Sequence, residues 1–112
     1  MDHGCLRTRE IDTMTGYEFE DFLVNLFTKL GYTVDQRKRS HEQDLDLLLI
    51  QHGERIAVQV KRYSKPVGNE AIQEANAARM YYRCQRALVV TNSSFTTSAK
   101  QLAERCNVEL WD

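Results

Sequence analysis

Two short apolar runs either side of a polar break constrain this chain more than any other feature. Leu45 to Ile50 and Ile56 to Lys61 read as β-strands joined through Gln51-His52-Gly53-Glu54, a hairpin. Side chains alternate faces along a strand, so Ile56, Val58 and Val60 point one way and Ala57, Gln59 and Lys61 the other. Gln59 and Lys61 therefore share a face. On the partner strand Asp46 falls far from the turn, beside Lys61. A carboxylate among Leu45, Leu47, Leu48, Leu49 and Ile50 is costly unless it is partnered. A salt bridge to Lys61 would satisfy it without any chemistry. Two polar residues on one face opposite an embedded Asp favour a functional cluster instead. Oxygen ligands beside a fixed ammonium are what metal-assisted phosphodiester hydrolysis needs.

The rest of the chain supplies one domain around that hairpin. Residues 1–13 show no period and read as a flexible leader; residues 14–112 form the domain. Thr15-Gly16-Tyr17-Glu18 is a capping box, and Phe19, Phe22, Leu23, Leu26, Phe27 and Leu30 follow at helical spacing. Gly31 supplies a left-handed stop. Tyr32-Thr33-Val34 opens a strand ending near Arg37, and Ser40 to Gln43 form a loop before the Asp46 strand. Pro66 and Gly68 mark the exit from the next strand, and Asn69 caps a helix through about Tyr82. Ala87-Leu88-Val89-Val90 is too short for a helix and needs cover on both faces, as a central strand has. Phe95 to Arg105 reads as a last helix and Val108 to Trp111 as a last strand. The expected fold is α/β: a central mixed β-sheet flanked by helices, in the order α-β-β-β-α-β-α-β.

Composition narrows the function classes. With 112 residues, 42% of them hydrophobic, the chain can bury one core. No uninterrupted apolar run is long enough to cross a bilayer, and Met1-Asp2-His3-Gly4-Cys5 lacks the apolar core of a signal peptide. Cys5, Cys84 and Cys106 are odd in number and form no CxxC, which suits reduced thiols and a cytoplasmic protein. A net charge of −1 is not that of a general nucleic-acid coat. Polyanion binding would have to come from local clusters: Arg37-Lys38-Arg39, Lys61-Arg62-Tyr63-Ser64-Lys65, and Arg79, Arg83 and Arg86. On the first helix Glu20 sits at the margin of the buried stripe, where a carboxylate can lean over the sheet.

Glu20, then Asp46, then Gln59-Val60-Lys61-Arg62-Tyr63 resemble the nuclease core of Mrr-type restriction endonucleases, the Gln-x-Lys branch of the PD-(D/E)xK phosphodiesterases. The likeness continues through Ser64 to Gly68, Ile72-Gln73-Glu74, Val89 to Ser93 and Phe95 to Ala99. It implies a restriction-endonuclease-like fold and a DNA endonuclease of the restriction, anti-foreign-DNA type. Asp46 matches the metal-binding aspartate and Glu20 the helix glutamate that supports the metal or its waters. Gln59 stands in place of a third acid, with the Val60 carbonyl as a further ligand. Lys61 matches the lysine that assists the attacking water and stabilises charge on the phosphorane. The implied metal is Mg²⁺, with Mn²⁺ as a substitute. Arg62, Lys65 and Gln73 become candidates for DNA contact. Cutting both strands needs two sites, which a homodimer would supply, and target choice would fall to a separate specificity domain or protein. Asp44, where the family often has glycine, is a departure. Two rivals remain: a catalytically silent nucleic-acid-binding module of the same fold, and a nuclease of branched DNA resembling Holliday-junction resolvases.

Overall fold

The computed structural model of the chain describes residues 3–4, 13–36 and 45–112. The elements are β1 (His3–Gly4), α1 (Gly16–Lys29), β2 (Thr33–Gln36), β3 (Leu47–Gln51), β4 (Glu54–Lys61), α2 (Asn69–Tyr81), β5 (Arg86–Thr91), α3 (Thr97–Cys106) and β6 (Val108–Trp111). They build one six-stranded mixed sheet in the order β1-β6-β5-β4-β3-β2. From α1 onward this is the expected succession. β1 adds a strand that periodicity did not suggest, pairing parallel with β6 inside the segment read as a leader. The Arg37–Arg39 cluster, Asp44 and Cys5 lie outside the described residues.

Of α1, α2 and α3, each begins where a side chain offers an acceptor, with one exception. For α1 the Glu18 amide donates to Thr15 Oγ1 (3.1 Å) while the Thr15 amide donates to Glu18 Oε1 (2.9 Å), completing the capping box. For α3 the cap is Thr96, whose hydroxyl accepts from the Ala99 amide at 3.0 Å. The expected start at Phe95 is two residues early, because Phe95 bridges in parallel to Val67. The exception is α2. Asn69 is its first helical residue rather than its cap, and the cap position falls on Gly68, which has no side-chain bond to give.

The C-terminus of α1 is a Schellman closure. The Tyr32 amide reaches back to the Phe27 carbonyl and the Gly31 amide to that of Thr28, both at 3.1 Å. Phe27 and Tyr32 meet edge to face, 6.1 Å between ring centroids. Gly31 takes φ +96°, and a Cβ there would lie 2.8 Å from Gln51 Nε2. The β3–β4 hairpin turns through His52 (φ +52°) and Gly53 (φ +81°), the two positive values of a type I′ turn.

The sheet separates two apolar layers. Phe19, Leu23 and Phe27 of α1 pack on Leu47, Leu49, Ile56, Val58, Leu88 and Val90. On the other face α2 and α3 present Ile72, Ala75, Ala99 and Ala103 to Ala87, Val89, Val108 and Leu110. Leu88 to Val90 is therefore covered on both sides, as its unbroken apolar run requires. Arg86 ties the end of the sheet opposite Lys61: it pairs with both oxygens of Glu109 at 2.7 and 2.6 Å and with Glu54 at 2.9 Å. Cys84 and Cys106 are partly buried and carry no disulfide.

We expect Gly31→Ala to lose about 1–2 kcal/mol, the ordinary penalty for a Cβ in left-handed backbone. Urea unfolding should show a lower midpoint at unchanged slope. Adding Gln51→Ala relieves the contact but not the backbone strain, so recovery in the double variant should be partial; full recovery would mean that the contact alone sets the cost.

Candidate active site

The parallel strands β4, β5 and β6 all run towards one edge of the sheet, and Lys61 is the last residue of β4. In α/β sheets the space beyond these carboxyl ends is where ligands bind. β3 runs the other way, so its first residues arrive at the same edge. There it departs from β4. Leu47 is the register partner of Val58, yet the Asp46 amide also turns to the Val58 carbonyl, at 3.3 Å. Two successive residues addressing one is the pattern of a β-bulge, a feature common beside active sites. One step further the Val60 amide donates not to a backbone carbonyl but to Asp46 Oδ2, at 2.8 Å. In an extended strand the N–H and C=O of one residue point to the same side. The Val60 carbonyl is thus directed into the notch that the Asp46 carboxylate occupies.

Gln59 and Lys61 alternate with Val58 and Val60 and so lie on the α2 face of the sheet, together with Ala57. Gln59 is buried, 2% exposed. The Lys61 ammonium lies 2.8 Å from Glu74 Oε1 of α2, with both side chains largely shielded. Burial pulls the pKa of Lys61 down, but the hydrogen bond and charge of Glu74, helped by Tyr63 and Asp46, more than offset it, and the net shift is upward. The Asp46 carboxylate bonds the amide of Val60, the residue before Lys61.

Glu20 approaches from the opposite layer. Its Oε1 accepts from Gln36 Nε2 at 3.0 Å, and Gln36 is the register partner of Leu47, the residue after Asp46. Glu20 thus reaches the same edge of the sheet over β2. Of the candidate DNA contacts, Arg62 donates its Nε to the Met14 carbonyl (2.8 Å) and so anchors the chain ahead of α1. Lys65 and Gln73 are exposed. A recess of about 350 Å³ beside Glu74 is lined in part by Tyr63, Lys65, Gly68 and Asn69. Two members of the Arg79, Arg83 and Arg86 cluster are committed to structure. Arg79 donates to the Asn107 and Cys106 carbonyls and to Asn76, and Arg86 joins the carboxylates described above.

Two residues of this edge have no role in the sequence reading. Glu74 follows Ala71 by three positions and precedes Ala75 by one and Ala78 by four. That spacing places it at the rim of a small-residue stripe facing the sheet, a signal available before any coordinates. Asn92, read as part of a turn, is 7% exposed. Its side chain accepts from the Tyr63 amide (2.8 Å) and donates to the Tyr63 carbonyl (2.9 Å). It thereby extends the β4–β5 ladder by a side-chain rung. The Ser93 hydroxyl donates to the Lys65 carbonyl at 2.9 Å, and the Val67 amide to the Ser94 carbonyl at 2.7 Å. The segment after Lys61 is stapled to the segment after β5. A carboxamide among backbone groups gives no periodic signal.

The Asp46 carboxylate, the Gln59 carboxamide and the Val60 carbonyl would each offer oxygen, the donor type a hard divalent cation prefers. Among the described residues no three His, Cys, Asp or Glu side chains gather to hold a metal. Two neutral oxygens with one carboxylate match an ion that keeps several of its waters.

Comparison with known proteins bears on what this arrangement is. A similar fold occurs in the DNA modification-dependent restriction endonuclease AspBHI (TM-score 0.71, 15% identity, 91% of this chain and 30% of that one). It occurs also in a repair endonuclease from Pyrococcus abyssi (TM-score 0.67, 18% identity, 87% of this chain and 46% of that one). A third is EndoMS in complex with double-stranded DNA (TM-score 0.65, 21% identity, 88% of this chain and 44% of that one). The chain spans about half or less of these proteins. A sequence comparison with curated proteins finds no match. The sequence profile of the restriction endonuclease family, in its Mrr-type catalytic form, matches residues 11–112. With nearly the whole chain inside that match, this protein belongs to the Mrr-type restriction endonuclease family.

Proposed function

We propose that the chain is a Mg²⁺-dependent DNA endonuclease domain that hydrolyses a phosphodiester by direct attack of water. The observation that supports this reading best is the notch at Asp46. There the carboxylate caps the amide of Val60, between the buried Gln59 and Lys61, in a chain of a nuclease family. Asp46, Gln59 and the Val60 carbonyl would hold the metal, and Glu20 would orient its waters from across β2. When bound, a divalent ion neutralises phosphate charge and acidifies a coordinated water. Lys61 enters as a cation. Paired with Glu74, it suits the role of an ammonium that positions the nucleophile and stabilises the phosphorane.

Arg62, together with Lys65 and Gln73, would contact DNA on the flank that runs from Lys61 towards α2. Contacts to phosphate position a duplex without reading its sequence. Target choice, including any preference for modified bases, then belongs to a further domain or protein. The longer proteins that share this fold are consistent with such a division. A homodimer would bring two sites to the two strands. Among the described residues no helix is long and apolar enough to cross a membrane. We place the domain in the cytoplasm, where foreign DNA would be met.

Plasmid incubated with the protein should be nicked or linearised only when Mg²⁺ or Mn²⁺ is present. Lys61→Ala should lower the single-turnover rate by about 10²–10³-fold, the usual loss on removing one group that stabilises developing charge. Asp46→Asn should abolish metal-dependent cleavage. DNA binding without Lys61-dependent cleavage would establish the silent module instead. Preference for a four-way junction over linear duplex would move the substrate to branched DNA.

A second prediction concerns Gln59. In Gln59→Glu a further negative charge enters a position that is 2% exposed. Without metal the variant should melt lower than wild type, because a buried carboxylate is costly. Mg²⁺ should raise its melting temperature more than that of wild type, since ligand binding to the folded state adds stability. Equal Mg²⁺ responses in the two proteins would remove Gln59 from the ligand set.

A further inference from the structure

We propose that Glu74 is a positioning residue for Lys61: α2 delivers a carboxylate that holds the lysine head group at the edge of the sheet where Asp46 lies. The inference rests on the nuclease reading above and adds to it a residue outside the Asp46 to Lys61 hairpin. Its basis is geometric. Lysine is a point charge on a flexible four-carbon stem, and nothing in a β-strand fixes where such a head group stands. Glu74 Oε1 lies 2.8 Å from Lys61 Nζ, with the two side chains 26% and 18% exposed. A pair shielded to this degree is screened less than one on the surface.

The helix is built for that reach. Ala71, Ala75 and Ala78 are 3%, 0% and 0% exposed, so small side chains let α2 lie close against the sheet. Ile72, wholly buried in the same layer, locks its rotation. Asn92 fixes the other end of the lever, because its two bonds to Tyr63 hold the backbone two residues beyond Lys61. Head group and backbone are thus set independently, one by a helix and one by a turn. Glu74 touches neither substrate nor metal in this scheme and acts through Lys61 alone.

Single-turnover cleavage with Mg²⁺, acetylation mapping and urea unfolding on wild type, Glu74→Ala and Glu74→Gln test the assignment together. Glu74→Ala should lower kcat by about 10- to 100-fold, the range found when the partner of an active group is removed, with KM for DNA unchanged. Glu74→Gln keeps an acceptor for the ammonium and should recover part of that loss. In a Lys61→Ala background, Glu74→Ala should add no further loss, since both changes break one interaction. Acetylation of Lys61 in wild type should lag behind that of exposed Lys65, and the protection should vanish in Glu74→Ala. A variant that is less stable in urea but cuts at the wild-type kcat when folded overturns the inference and leaves the nuclease standing. So does unchanged acetylation of Lys61. A wild type that cuts no DNA with either metal overturns both readings at once.

Discussion

The site depends on one hydrogen bond in which a side chain takes the place of the backbone. At the end of β4 the Val60 amide needs an acceptor, and β3 no longer offers a carbonyl there; the Asp46 carboxylate takes the position instead. A buried amide left without a partner is expensive, so the sheet separates only because Asp46 makes the separation tolerable. The same bond orients the carboxylate and aims the Val60 carbonyl into the gap. Structural need and candidate chemistry coincide in that residue. Replacing it removes a strand cap as well as the proposed ligand, and the two effects separate only when folding and cleavage are both measured.

Around that notch the sheet works as a partition with groups arriving from both sides. Glu20 comes over β2 from the α1 layer, whereas Gln59 and Lys61 face α2. A single layer could not supply all of them, because strand alternation puts neighbouring residues of β4 on opposite faces. The edge of the sheet is the one place where both layers are within reach. This explains why the polar residues collect at the carboxyl ends of the parallel strands while the middle of the sheet stays apolar on both faces.

Much of this was legible from periodicity, and the exceptions share a cause. The Phe19 to Phe27 stripe, the Gly31 stop, the hairpin and the doubly covered Leu88 to Val90 run each follow from local rules of spacing and backbone freedom. The misread features depend on distant partners. Asn69 fails as a cap and Phe95 as a helix start because the bridge between Val67 and Phe95, far apart in the chain, sets where α2 and α3 begin. β1 exists by virtue of β6, at the far end of the chain. Arg79 and Arg86 look like surface charge in sequence and prove to be struts. Asn92 looks like a turn residue and extends a ladder. Asp46, Gln59 and Lys61 were visible because polar residues inside apolar strands break a pattern, whereas Glu74 merely sits at the rim of one.

The balance of charge explains why a neutral residue suits position 59. Asp46, Glu74 and Glu20 bring three negative charges to this edge, and Lys61 returns one positive charge, already engaged by Glu74. A carboxylate at the almost wholly buried Gln59 would add a desolvated charge two residues from a lysine already paired with Glu74. A carboxamide offers the same oxygen without that penalty. What the exchange surrenders is ion affinity, since a neutral oxygen attracts a divalent cation less than a carboxylate does. Under the proposed function, the phosphate of a bound substrate would supply the negative charge that the carboxamide withholds from the ion.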